Sequence, residues 1–384
     1  MLTFGPDGVL LLGDHKLGAV FAFETDFGDT PTSLEPFLFE SIDEKIADSL
    51  DVSVKSLVMN GMAVHPVSRE TYLSVAVRIG DSVEPAVVSV SLDGEVRPFD
   101  LSSSRATVHQ LSDVPDENKT FKSRAGFFTV PPAEYYEAKA RTPLRSMTIV
   151  DLKFHNGEVF VAGVSNQEFS STLRRIAYPF SGDASQTRVE IYHLAHGGYE
   201  TRAPIRAMQF ATIDGVDTLV AAYACSPLVT IPVSELKDGV KVTGRTIGDM
   251  GNGQPISMVA FNDAEGEKVL ITNISRGPLI VPLSKIHSSE GYTHENRPGE
   301  GPMLDQHPHM PVGPVGKQVL FVGSSLRADL FSDRFFVSLT RYADTGDLTL
   351  ETLPVFPMPA RLDKIFVEFD FPGVDGPRPH KQAA

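Results

Sequence analysis

Residues 205–236, IRAMQFATIDGVDTLVAAYACSPLVTIPVSEL, indicate the fold class because they contain three strand-like runs separated by two short turns. Apolar and β-branched residues dominate the runs, whereas Asp-Gly and Ser-Pro mark the turns. The same phrase returns at residues 256–286 as ISMVAFNDAEGEKVLITNISRGPLIVPLSKI. Each copy therefore predicts three antiparallel strands.

Further copies of the phrase extend this pattern over most of the chain. They occupy residues 2–25, 61–94, 149–180 and 326–356. Apart from the two insertions described below, the copies are spaced by roughly 40–60 residues, which overlaps the spacing of propeller blades. Closing such sheets into a ring protects their edges. We therefore predict an all-β fold in which residues 1–384 form a single β-propeller of about six blades. Seven blades, or a pair of β-sandwiches, are the alternatives.

Two segments interrupt the repeat. Residues 101–145 are largely polar, and residues 287–313 are rich in His, Glu and Pro. Long loops within a compact domain often carry function, so both segments are predicted to be inter-blade insertions.

Composition limits the classes of partner. The 384 residues contain 34 Lys and Arg against 49 Asp and Glu, a net charge of −15. Nucleic acid and anionic membrane surfaces are therefore not expected as partners, and no apolar run is long enough to span a bilayer. A single cysteine excludes an intrachain disulfide and Cys-rich metal sites. A small molecule or a protein is the expected partner.

Polar side chains recur where the second predicted strand of each copy meets the third. In a propeller these loops gather on one face, which we call the loop face. We predict that this face binds the ligand or partner. Its candidate residues are Asp14, His15, Asn166, Glu168, Tyr223, Cys225, Asn273, Arg276 and Arg341.

Two of these candidates have competing interpretations. Cys225 is either buried as a small hydrophobe or activated as a thiolate by a neighbouring cation such as Arg276 or His196. The fork of donors on Arg276 suits a carboxylate or phosphate ligand. The alternative for Arg276 is a structural ion pair with a glutamate of an adjacent blade.

Histidines suggest a metal in two places. His193 and His196 are three residues apart, and on a strand this spacing turns the rings to opposite faces. A shared metal therefore requires the turn to begin between them. The alternative is one strand histidine and one loop histidine without a metal.

The second place is the DQHPHMP stretch within the 287–313 segment. His307 and His309 lie on the same side of an extended chain, with Met303 and Met310 nearby. Imidazole and thioether ligands suit copper, whereas exposed loop histidines are the alternative. The cofactor is therefore unassigned, with a divalent metal or copper as candidates. No known catalytic spacing is present, so any catalytic residues are unassigned.

Four stretches carry a resemblance to bacterial six- or seven-bladed propeller proteins. They are GMAVHPVSRETYLSVAV at 61–77, FVAGVSNQEF at 160–169, AAYACSPLV at 221–229 and ISRGPLIVP at 274–282. The chain is also similar, more distantly, to lactonase-type and quinoprotein-subunit propellers. The acidic start of the lactonases is absent, because FGPDG stands at residues 4–8.

The resemblance implies the propeller fold and carries no family function. The polar loop face predicts a ligand- or protein-binding propeller. A metal-dependent hydrolase or lactonase, or a redox subunit, on the same face is the alternative. The resemblance also implies a periplasmic or secreted location if a leader precedes the chain, and a cytoplasmic one otherwise.

Overall fold

The computed structural model describes residues 1–25, 30–80, 82–121, 142–194, 196–224, 227–250, 254–273, 277–287, 289–296, 313, 317–318, 324–342 and 345–355. The strands of its first part are β1 Leu2–Phe4, β2 Leu10–Asp14, β3 Ala19–Phe23, β4 Leu38–Phe39, β5 Leu57–Val64, β6 Thr71–Ile79, β7 Ser82–Val90, β8 Val96–Pro98, β9 Ala106–Gln110, β10 Thr120–Phe121, β11 Thr142–Pro143, β12 Asp151–His155, β13 Glu158–Val164 and β14 Ser171–Ala177.

The remaining strands are β15 Ser185–His193, β16 Gly198–Glu200, β17 Ile205–Ile213, β18 Val216–Tyr223, β19 Pro227–Pro232, β20 Lys241–Asp249, β21 Pro255–Asp263, β22 Gly266–Asn273, β23 Leu279–Pro282, β24 Lys317–Gln318, β25 Ser324–Leu330, β26 Phe335–Arg341 and β27 Leu348–Pro354. In the described part of the chain the α-helices are α1 Ile42–Ser49 and α2 Leu283–His287. Within these described ranges no helix is long and apolar enough to cross a membrane.

The strands form four four-stranded sheets and one nine-stranded sheet, besides the small β10–β11 ribbon. The four-stranded sheets have the orders β1-β2-β3-β9, β5-β6-β7-β8, β21-β22-β23-β24 and β25-β26-β27-β4. In the nine-stranded sheet, the half β12-β13-β14-β15 joins the half β20-β19-β18-β17 through a parallel β15–β20 pair, and β16 also pairs with β15. Each predicted phrase coincides with the first three strands of a sheet or half.

The first strand of each phrase contacts the first strand of the phrase in the neighbouring sheet or half, and these contacts form a closed cycle. β1 contacts β12, β12 contacts β17, and the cycle continues through β21, β25 and β5 back to β1. We call this cycle the inner ring. The hydrophobic core lies between adjacent sheets; one buried cluster joins Leu73 and Val88 to Val337 and Leu350. The predicted all-β, propeller-like architecture is confirmed.

Two sheets are completed by strands from distant parts of the chain. β4 pairs with β27, where Phe37 N donates to Thr352 Oγ1 at 2.9 Å and Thr352 N donates to Phe37 O at 3.0 Å. β9 pairs with β3, so part of the predicted insertion 101–145 belongs to the first sheet. Residues 122–141 of that segment, and most of 287–313, lie outside the described residues.

The pairing of the first strand with the second is interrupted by one residue in four sheets or halves. β5, β17, β21 and β25 each contain one residue without a partner in the neighbouring strand. The residues skipped are Asn60, Arg206, Ile256 and Leu326. Such a bulge changes the direction of a side chain and breaks the alternation along a strand.

Polar side chains of the inner ring bind the backbone of the next first strand. Asp151 Oδ2 accepts the N–H of Met208 at 2.8 Å, and Asp329 Oδ2 accepts that of Val64 at the same distance. These bonds join β12 to β17 and β25 to β5. Because the first strands are not paired by a sheet ladder, such contacts fix their relative positions.

We expect Asp329→Ala to lower the free energy of unfolding by about 1–3 kcal/mol, since it leaves the Val64 N–H without its acceptor. Urea denaturation measures the change. Asp333→Ala is the matched control because Asp333 is exposed. Equal losses in the two variants would show that the Asp329 bond does not brace the ring.

Candidate functional site

A hairpin turn brings together the first pair of predicted metal ligands. β15 ends at His193 and β16 begins at Gly198, so the turn starts directly after the first histidine. The N–H groups of His196 and Gly197 both donate to His193 O, at 3.2 and 2.8 Å. Gly197 has a φ of +65°, a conformation that glycine adopts without steric cost.

The side chains of His193, His196 and Glu200 form a compact cluster, which we call the rim cluster. His193 Nδ1 lies 2.9 Å from Glu200 Oε2, and His196 Nδ1 contacts Glu200 Oε1. The two imidazole centroids are 3.9 Å apart. One ligand atom from each residue lies within 4.8 Å of the other two. The turn between the histidines therefore removes the opposition of the rings that an unbroken strand would impose.

Glu200 supplies the negative charge of the rim cluster. Burial by itself would raise the pKa of this carboxyl, but the hydrogen bonds and positive charge of His193 and His196 outweigh burial and lower the pKa to about 2. The group is therefore ionised at neutral pH. The side chain of His193 is 1% exposed and that of His196 38% exposed, so the cluster has one buried and one solvent-facing imidazole.

The rim cluster lies beside a loop of the predicted binding face. Ser171 N, at the start of β14, donates to Thr201 O at 3.0 Å, next to Glu200. The β13–β14 loop that precedes β14 contains the exposed candidates Asn166 and Glu168. Because β15 is the fourth strand of its half, this position is at the outer strands, not beside the inner ring.

A described piece of the 287–313 segment also reaches this region. Tyr192 precedes His193, and its hydroxyl lies 3.5 Å from His294 Nδ1. Tyr292 N donates to Thr246 O at 2.7 Å, so residues 289–296 cross the ends of β15 and β20.

Other loop-face candidates stabilise their own turns. Asp14 Oδ1 accepts the N–H groups of Lys16 and Leu17 at 2.8 and 3.0 Å, whereas His15 in the same turn is exposed. Arg341 Nη1 donates a 2.5 Å hydrogen bond to a carbonyl of the β26–β27 turn. Asp14 and Arg341 therefore form hydrogen bonds within their own turns, and their predicted role in ligand binding stays a prediction.

Two more candidates are buried at equivalent ends of β18 and β22. Tyr223 is fully buried, and burial raises the pKa of its phenol. Asn273 is 2% exposed, and its Nδ2 donates to Ile271 O at 3.2 Å. Among the described residues its Oδ1 has no hydrogen-bond partner.

The remaining candidates lie outside the described residues. They are Cys225, Arg276, His307 and His309. Their roles, including the alternatives for the single thiol, stay predictions.

A buried ion pair that sequence reasoning missed positions the β13–β14 loop. Arg174 Nε donates to both carboxylate oxygens of Asp113, at 2.7 and 3.0 Å, and its other nitrogens donate to Thr148 O and Val164 O. Asp113 O in turn accepts the N–H of Asn166 at 2.9 Å. The available signal was the adjacent pair Arg174 and Arg175 in β14, because neighbouring residues of a strand face opposite sides and one of the two must face inward.

We expect Arg174→Met to lower the free energy of unfolding by about 3–5 kcal/mol, because it leaves the buried Asp113 carboxylate without its cation. Thermal and urea unfolding measure the loss. Arg105→Gln, at an ion pair whose arginine is 83% exposed, serves as control and should cost less than about 1 kcal/mol. A loss for Arg174→Met no larger than the control would contradict the assignment.

Comparisons with known proteins give structural neighbours alone. No family model and no curated protein matches the chain. The extracellular region of plexin A4 is 7% identical with a TM-score of 0.38, over 93% of this chain and 39% of that one. A glucose dehydrogenase is 12% identical with a TM-score of 0.31, over 91% and 94% of the two chains. A mitotic checkpoint complex chain is 10% identical with a TM-score of 0.30, over 92% and 86%. None of these similarities bears on activity.

Proposed function

We propose that the protein is a six-bladed propeller that binds a small ligand or a protein partner on its loop face, with a divalent metal held by the rim cluster. The six blades would be the four four-stranded sheets and the two halves of the nine-stranded sheet, each with one strand in the inner ring. The observation that carries the binding proposal is the convergence of three ligand atoms within 4.8 Å.

The chemistry of the rim cluster suits zinc or a similar ion. Two imidazoles and one carboxylate form a known three-ligand set for Zn²⁺, which leaves the fourth position open. Tetrahedral bonds of about 2.0–2.1 Å separate ligand atoms by about 3.4 Å, a value between the 2.9 Å His193–Glu200 contact and the 4.8 Å limit of the cluster. Small side-chain shifts would therefore admit the ion.

The surroundings of the rim cluster favour a role in binding. The partly exposed His196 marks the solvent side, where an oxygen or nitrogen donor of a ligand would complete the coordination. Asn166 and Glu168 are exposed on the neighbouring loop and would supply polar contacts. A metal fixed by a tight hairpin would orient such a ligand without rearrangement of the backbone.

A metal-dependent hydrolase is the second candidate, because an open coordination position can also hold an activated water. Assays with a simple ester and a simple lactone separate the two functions. Metal-stimulated turnover that is lost in His193→Gln would favour the hydrolase. Metal binding without turnover would favour the binding protein.

Isothermal titration of the metal-free protein with Zn²⁺ should show one site, and His193→Gln should weaken it at least about 100-fold, since a direct ligand matters at least as much as an outer-shell partner. His109→Gln, in β9, is the control and should leave the affinity unchanged. The double variant His307→Ala/His309→Ala tests the other predicted metal site. Unchanged affinity in His193→Gln would refute the rim-cluster site.

The Zn²⁺ affinity should also depend on pH. Both imidazoles must be neutral to bind, so protons compete with Zn²⁺ and the affinity should fall as the pH is lowered from 7.5 to 5.5. Glu200 stays ionised over this range, because the hydrogen bonds and positive charge of the two imidazoles lower its pKa to about 2. Competition titrations with a zinc-sensitive dye measure the slope, and a flat profile would contradict imidazole ligation.

A further inference from the structure

Cationic side chains from three separate first strands extend into the inner ring. Arg327 of β25 donates through Nη1 to Ile256 O of β21 at 3.1 Å. Lys153 of β12 donates through Nζ to Met258 O of the same strand β21 at 3.3 Å. Both side chains therefore bridge from their own strand to another strand of the ring.

Arg206 joins these cations through a bulge. It is the residue of β17 that is skipped in the pairing with β18, so it departs from the regular alternation of the strand. Its Nε atom is buried, and among the described residues it has no hydrogen-bond partner. Arg206, Arg327 and Lys153 are each only partly buried, so solvent reaches part of every side chain.

The charges of this group are not balanced. The carboxylate that interacts with all three cations is Asp151, whose oxygens already accept the N–H groups of Leu152 and Met208 at 2.9 and 2.8 Å. Within the described part of the chain, no carboxylate oxygen lies within 4.0 Å of Lys153, Arg206 or Arg327. Three cations therefore face one carboxylate.

The burial of these cations lowers the pKa of both arginines. Burial lowers the pKa of Arg327 to about 10, and it also lowers the pKa of Arg206; Asp151 opposes both effects. Both guanidinium groups remain charged at neutral pH. Partly desolvated like charges are costly unless an anion compensates them.

We propose that the inner ring binds a small oxyanion, a carboxylate or phosphate group, between Arg206, Arg327 and Lys153. The guanidinium fork matches the paired oxygens of either group, and a lysine adds a point charge. The ligand would accept a hydrogen bond from Nε of Arg206 and offset the surplus charge. This site is distinct from the rim cluster, since its residues come from the first strands.

The test is isothermal titration of the metal-free full chain with inorganic phosphate and, separately, with succinate, at low chloride concentration. At least one probe should bind at 1:1 stoichiometry, and the stronger one identifies the preferred class of oxyanion. Arg206→Gln should weaken that probe at least 10-fold, while Arg206→Lys should give an intermediate affinity because it keeps the charge and loses the fork. Arg105→Gln, at the exposed surface, should change nothing.

Further variants separate binding from stability and from the metal site. Lys153→Gln, on a different strand, should also weaken the probe, so a folding defect of one variant does not decide the result. His196→Ala should leave anion affinity unchanged, because the rim cluster is a separate site. The proposal fails if neither probe binds the wild type. It also fails if the Arg206 and Lys153 variants lose thermal stability but retain wild-type affinity.

Discussion

The pairing of β4 with β27 joins the N-terminal part of the chain to its last sheet and supplies the fourth strand of that sheet. A sheet of β25, β26 and β27 alone would end in an unpaired edge, which is open to association with other chains. The pairing is short: β4 has two residues, and the bonds between Phe37 and Thr352 extend it. These partners are 315 positions apart in sequence, so the pairing forms only when the whole chain is arranged.

The inner ring is built from interactions that a sheet does not supply. Asp151 and Asp329 accept backbone N–H groups across gaps between first strands, and bulges change the direction of side chains in several of these strands. The geometry that lets these strands meet also collects Arg206 and Arg327 in one place. The positive charge that we propose to bind an oxyanion therefore results from the bulges and the contacts between first strands that form the ring.

Sequence reasoning predicted the parts of this fold that local patterns control. The first three strands of each sheet follow from alternation and turn residues, but the fourth strands β4 and β9 pair with partners far along the chain, which local patterns do not encode. The His193–His196 spacing pointed to the rim cluster, whereas the position of the turn needed the structure. Arg206 was missed because a bulge is invisible to a rule based on alternation.

The distance between β4 and its partner also matters during synthesis. A ribosome adds about 5–20 residues per second, so the 315 positions between Phe37 and Thr352 take about 15–60 s to translate. Throughout that interval β4 has no partner strand to join. The nascent chain must therefore keep β4 and the apolar face of α1 from aggregating, which makes the early part of the sequence the place where a chaperone would have most effect.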